Sequence, residues 1–372
     1  MGLVILILVA LVGGVWEAYS ADISLNDTDL QQAFVIFRSG DRTPDQEELD
    51  LYPESVESKV FLPYGQGALT NKGKQRSALV GKYLRERYNE ISSLYLPAEI
   101  VVRTTDYART KMTALAALSA MYPPPPAQKW NPNLDWQPIP YNTPPSDGDD
   151  LLYRFNCPSY LTERDEVYEL PDVKKSLDSY KGLFSYLSEK TPSEITNAEQ
   201  VLNLDNLFQG LLNVGINPPK WAREVMQKIR EVTKLEYATR FYNAELIRLA
   251  AGVLMQFILD TTSAYRQGDT DLPKLYLYSA HENNVAALMA AARVFQAHQP
   301  SYGATFSLEL RRVRTTGVYG ITAVYAKEAG GPGEVLPIEG CGGELFCDYA
   351  TFVGIVQDYA WSQADMNKVC NS

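Results

Sequence analysis

The chain has 372 residues, with 34 Lys or Arg against 45 Asp or Glu, a formal net charge of −11. That length can bury a full core and still hold a second, smaller unit. The acidic balance makes nucleic acid and anionic membrane surfaces poor partners, because both carry charge of the same sign.

Residues 3–16 form a short apolar run, and Ala18 and Ser20 are placed for cleavage, so 1–20 reads as a secretory signal peptide. The run is shorter than the ~20 residues of a membrane span, no second apolar stretch of that length is evident, and the tail from Asn367 to Ser372 is polar. The mature chain is therefore expected outside the cell. Asn26-Asp27-Thr28 is a sequon that places a glycan on Asn26. Four cysteines fit an oxidising compartment and allow three pairings. The short loop between Cys341 and Cys347 favours a local bridge, which leaves Cys157 with Cys370. With two histidines and the wrong cysteine spacing for zinc, no metal and no cofactor is expected.

Residues 34–37 read as a buried strand that runs into Arg38-Ser39-Gly40-Asp41-Arg42-Thr43-Pro44. Leu79, Val80, Tyr83 and Leu84 mark one face of the helix that follows. Residues 100–103 form a second strand, succeeded by a helix whose apolar positions are Met112, Leu115 and Ser119 and which the prolines at 123–126 stop. From 145 to 235 the alternation is lost and the chain looks mainly helical, an inserted cap between core segments 21–144 and 236–372. Leu246, Leu249, Ala250, Val253, Leu254, Phe257 and Ile258 then trace a clear amphipathic helix. Residues 275–278 are a short strand with His281 just beyond, Val285, Leu288, Met289, Ala292 and Phe295 a helix, and 304–310 and 319–325 two last strands. Strand, polar loop, helix occurs three times, which predicts an α/β fold with ligands at the carboxyl ends of the strands.

The polar loops carry a resemblance. Arg38 to Pro44 resembles the R-H-G-x-R-x-P signature of the histidine acid phosphatases, with Ser39 where that family holds its nucleophilic histidine. Arg103-Thr104-Thr105-Asp106-Tyr107-Ala108-Arg109-Thr110 is similar to the R-S-T-D-x-x-R-T segment, and Ser279-Ala280-His281-Glu282 to S-x-H-[DE]. Gly67 to Gly73 is similar to G-x-L-T-x-x-G and Pro219-Lys220-Trp221-Ala222 to P-x-W-A. The motifs keep the family order and extend from Phe34 to the last cysteine. Glu282, in place of Asp, resembles the insect venom branch.

This resemblance implies a mixed central sheet flanked by helices with a smaller, mainly helical cap. It also implies that Arg38, Arg42 and Arg109 converge on one anion, with His281 as a fourth contact and Glu282 as proton donor. Asp41 and Glu282 are candidates to accept an ammonium group. His298 receives no role. Ser39 decides the activity, because a serine hydroxyl is a weak nucleophile without an activating base and a phosphoserine ester, unlike phosphohistidine, does not turn over readily. The expected site therefore has no catalytic residue and consists of Arg38, Ser39, Asp41, Arg42, Arg109, His281 and Glu282 as ligand contacts. A secreted, nucleophile-less chain of this branch is similar to the salivary acid-phosphatase-like proteins of fleas, a group associated with binding biogenic amines such as serotonin and leukotriene-type lipids. The expectation is a pseudoenzyme that sequesters such a ligand or a phosphate-like anion. An active acid phosphatase and a structural secreted protein are the alternatives, and the resemblance leaves a homodimer open.

Overall fold

The computed structural model describes residues 23–52, 58–152 and 157–370; the expected signal peptide lies outside them. A single mixed sheet has the order β2-β3-β1-β4-β5-β6, formed by β1 (Thr28–Arg38), β2 (Ile100–Thr104), β3 (Leu275–Ala280), β4 (Thr305–Val313), β5 (Tyr319–Ala326) and β6 (Glu334–Leu336), with β7 (Cys347–Asp348) also paired to β5. β1, β2 and β3 are parallel, whereas β4 runs antiparallel to β1 and β5 antiparallel to β4. β1 is longer than the apolar run at 34–37. Its first residues pair only with β4, Thr28 opposite Val313, and β3 joins from Ala33 onward.

Alternation along β1 divides the core. Val35 and Phe37 face α2 (Asn71–Tyr88) and α3 (Ala108–Met121). Phe34 and Ile36 face α9 (Ala244–Arg266) and α10 (Glu282–Ala291). The expected stripe on α3 is corrected. Met112 and Leu115 are exposed, and the buried residues are Arg109, Thr110, Thr113, Ala114, Ala117, Leu118 and Met121. Small residues won because α2 and α3 touch backbone to backbone: a Cβ on Gly81 would lie 2.0 Å from the Ala117 carbonyl oxygen. Leu79 is exposed for the same reason of rotation, while Val80, Tyr83 and Leu84 are buried. α9 also corrects the reading of a single long apolar stretch, being long and apolar enough to cross a membrane by length and composition. Packing against the sheet explains that composition, since 67% of the apolar window is buried.

From Pro158 to Arg240 the described chain is mainly helical: α4 (Pro158–Tyr168), α5 (Pro171–Asp178), α6 (Lys181–Lys190), α7 (Ala198–Asn213) and α8 (Lys220–Arg240). α6, α7 and α8 enclose their own cluster around Leu187, Leu204, Leu207, Phe208 and Ile229. α4 instead joins the main core through Tyr160 and Val167. Two short helices, α11 (Tyr349–Val356) and α12 (Gln363–Cys370), end the fold. Both expected disulfides are present, Cys157 to Cys370 and Cys341 to Cys347, the first pinning the entry to α4 onto α12. Asn26 is exposed in the turn before β1.

Candidate functional site

Register builds the site. Arg38 lies opposite Ala280, and Ser279 is opposite both Phe37 and Thr104, so the three parallel strands end level. The loops that leave them are stitched together by the Ser39 amide donating to the Ala280 carbonyl at 3.0 Å and the Thr105 amide to the Ser279 carbonyl at 3.2 Å. Gly40 permits the next contact, because a Cβ there would meet the Gly73 carbonyl oxygen at 2.2 Å.

Above these ends is a cavity of about 470 Å³, closed on the far side by α7, α8 and the first turn of α10. Arg42, Arg109, His281 and Glu282 line it, as the sequence predicts. Arg38 and Ser39 sit beneath, 1% and 3% exposed, and do not reach its surface. Arg38 donates to the Pro300 carbonyl at 2.6 Å and stacks on the Tyr302 ring, 3.9 Å from its centroid. Asp41 is a correction: it is 1% exposed and turned away, bound to Lys72 at 3.1 Å and to Arg76. Asp41 lies in the loop beyond β1 and is drawn by Lys72 and Arg76 toward α2, whereas Arg42 enters the cavity.

The guanidiniums are partly answered from within the chain, but Arg38 Nε and Nη2 are buried without a hydrogen-bond partner, and burial together with Arg42 lowers the Arg109 pKa. Each has a carboxylate of the chain itself: Arg38 Nε to Glu282 at 3.2 Å, Arg42 in two bonds of 2.8 and 2.6 Å to Glu48, and Arg109 to Asp45 at 3.3 Å. Asp45 and Glu48 belong to α1 (Gln46–Leu49) and its N-cap. Sequence reasoning overlooked both, although the D-x-x-E spacing directly after Arg42-Thr43-Pro44 is that of a capping box. Glu199 and Arg240, also on the lining, were missed too. In all, three arginines of the lining (Arg42, Arg109, Arg240) meet five carboxylates (Asp45, Glu47, Glu48, Glu199, Glu282).

Hydroxyl bookkeeping fixes the tautomer of His281. Thr110 Oγ1 gives its proton to the Thr105 or Tyr107 carbonyl, each at 2.9 Å, and Thr105 Oγ1 gives its own to Thr110 Oγ1 at 3.0 Å. His281 Nε2 must then donate to Thr105 Oγ1, 2.9 Å away. Burial, together with Arg109, Arg42 and Arg38, pushes the imidazole down to about 3 against the opposing pull of Glu282. The ring is thus neutral at ordinary pH, and its Nε2 is committed to Thr105. Burial raises Glu282, but Arg38 and Arg42 overcome it and hold the carboxyl down at about 2. Without ligand, Glu282 carries no proton to donate. His298 lies away from the cavity lining, 2.7 Å from the Tyr325 hydroxyl. Among the described residues no group of three or more His, Cys, Asp or Glu is arranged to hold a metal ion.

Guanidiniums gathered at the carboxyl ends of parallel strands, under a helical cover, make an α/β protein with its ligand site at the strand ends. Residues 29–319 match the histidine phosphatase superfamily, branch 2. The chain belongs to that family. It is 28% identical to venom acid phosphatase Acph-1 of Apis mellifera over 346 residues, 91% of this chain and 87% of the relative. With prostatic acid phosphatase of Bos taurus it shares 31% over 338 residues, 88% and 84% of the two chains. The fold is similar to that of Hafnia alvei phytase in complex with myo-inositol hexakis sulphate, at a TM-score of 0.66 and 16% identity, covering 91% and 98%.

Proposed function

We propose that this chain is a secreted member of the family without phosphatase turnover, and that it binds and holds a small amine of the serotonin type in the strand-end cavity. The observation that carries this reading is that Arg42, the guanidinium best suited to phosphate, is already held in two bonds by Glu48. Glu47 is exposed and Asp45 half-buried on the lining, where an ammonium group can reach them. Tyr107, held edge-on to His281 and with the Arg109 guanidinium 4.6 Å from its ring centroid, is an aromatic side chain of the lining. Loss of turnover follows from Ser39. It stands where the family signature has histidine, His281 is engaged by Thr105, and Glu282 is ionised, so neither a nucleophile with its base nor a protonated acid is in place. Leu152 and Leu202 are the aliphatic side chains of the lining, too few to sheathe a long lipid tail, so the amine is favoured over a leukotriene. Export is supported by the disulfides and by the apolar leader.

Calorimetric titration of the mature protein with serotonin, alongside turnover of p-nitrophenyl phosphate from acid to neutral pH, tests both halves. Saturable serotonin binding with no turnover is expected. Turnover that Ser39→Ala abolishes would establish an active phosphatase, and absence of amine binding to folded protein would leave a structural role.

A further inference from the structure

The carboxylate of Glu48 occupies Arg42 in the manner of a bound ligand. Oε1 takes Arg42 Nη2 at 2.6 Å, while Oε2 takes Arg42 Nη1 at 2.8 Å and the Asp45 backbone N–H at 2.9 Å. Three donors on two oxygens, two of them from a forked guanidinium, is the arrangement that a phosphate or carboxylate ligand would seek. Glu48 is 4% exposed and Arg42 4%, so the pair is shielded from water. Burial lowers the Arg42 pKa, yet Glu48 raises it well above its ordinary value, the mark of a close pairing.

The turn that bears Glu48 is held in place. Arg109 Nη1 bonds both Asp45 Oδ1 and the Gly67 carbonyl at 3.3 Å. Gly67, at φ +59, lies so close that a Cβ would sit 2.1 Å from Asp45 Oδ1. On the other side Asn213 of α7 donates to the Arg42 carbonyl at 3.0 Å, and Gly210 brings α7 against Pro44, where a Cβ would be 2.9 Å from the ring. Leu51, just past the turn, is buried with Phe208 and Leu211. Glu48 is therefore a fixture of the fold and not a swinging lid.

We infer that Glu48 sets the ligand class of the cavity, acting as a built-in anion that keeps phosphate-like ligands off Arg42. This rests on the strand-end cavity being the ligand site proposed above. An incoming phosphate would have to displace a carboxylate tethered to the same turn, and it would meet Asp45 and Glu282 as well.

The probe is inorganic phosphate, titrated calorimetrically into mature wild-type protein, Glu48→Gln and the control Asp50→Asn, which removes an equal charge from an exposed position outside the cavity. Glu48→Gln should bind phosphate at least tenfold more tightly than wild type, and its melting temperature should rise with phosphate while that of wild type stays level. Asp50→Asn should behave as wild type. Should Glu48→Gln not fold, Glu48→Asp keeps the charge but withdraws it by one methylene, and a gain of severalfold in phosphate affinity is expected. Folded Glu48→Gln or Glu48→Asp with no gain overturns the inference, as does wild type that already binds phosphate equally well. Serotonin titrations on the same proteins keep the two readings apart. Phosphate gain without amine binding by wild type removes the amine reading and retains the role of Glu48, whereas amine binding without phosphate gain does the opposite.

Discussion

His281→Asn isolates the one imidazole of the site. The folded ring titrates at about 3 against an ordinary 6.5, because burial and the neighbouring Arg109, Arg42 and Arg38 outweigh Glu282. Between those values the unfolded chain binds a proton that the folded chain refuses. The stability this contributes is fully present above pH 6.5 and is lost as pH falls toward 3. At about 1.36 kcal/mol per unit, wild type should lose about 3 kcal/mol from this group between pH 6.5 and pH 4. His281→Asn retains a good N-cap side chain for α10 and removes the titration. The difference between the two denaturation series over this window cancels the carboxylates that both proteins share. A direct assay is available too, because the chain has two histidines and so two imidazole signals. The signal that disappears in His281→Asn should stay neutral down to about pH 4 in the wild-type spectrum. A midpoint near 6.5 for that signal, or denaturation series that run parallel, would refute the buried, neutral imidazole and with it the tautomer argument.

Gly81→Ala should destabilise the protein by more than about 1 kcal/mol, although alanine gains roughly 1 kcal/mol in an unconstrained helix, because its Cβ would lie 2.0 Å from the Ala117 carbonyl oxygen. A melting temperature unchanged or raised would show that α2 and α3 can part freely. Asp41→Asn should cost about 2 kcal/mol by leaving Arg76 without its buried partner, with serotonin affinity held within about twofold. A fall in affinity at unchanged stability would return Asp41 to the ligand site.

The sheet was legible because each parallel strand is a short apolar run that breaks directly into charge, as at Phe37-Arg38, Arg103-Thr104 and Ser279-Ala280-His281. Those breaks also marked the strand ends where Arg42, Arg109, His281 and Glu282 meet. Two things were hidden. The stripe on α3 was misplaced because hydrophobicity favours Met112 and Leu115, whereas a helix that approaches its neighbour closely buries Ala114 and Ala117. Asp45 and Glu48 were hidden because Asp45-Gln46-Glu47-Glu48 reads as a solvated acidic turn, and only the tertiary approach of Gly67 and α7 drives Glu48 onto Arg42. Asp41 failed in the opposite sense, since nearness in sequence to Arg42 says nothing about the direction in which each side chain leaves the loop.

Internal ion pairs explain why the cavity can stand without ligand. A buried guanidinium left unpaired costs several kcal/mol, and here Arg38, Arg42 and Arg109 are each answered from within the chain. An anion arriving at Arg42 must first break a buried, doubly hydrogen-bonded pair, a loss of about 3–5 kcal/mol, or roughly 10²–10⁴ in affinity, before any new contact counts. The same strand-end geometry that presents arginines to phosphate thus holds Arg42 and Arg109 against two acidic residues of one short turn.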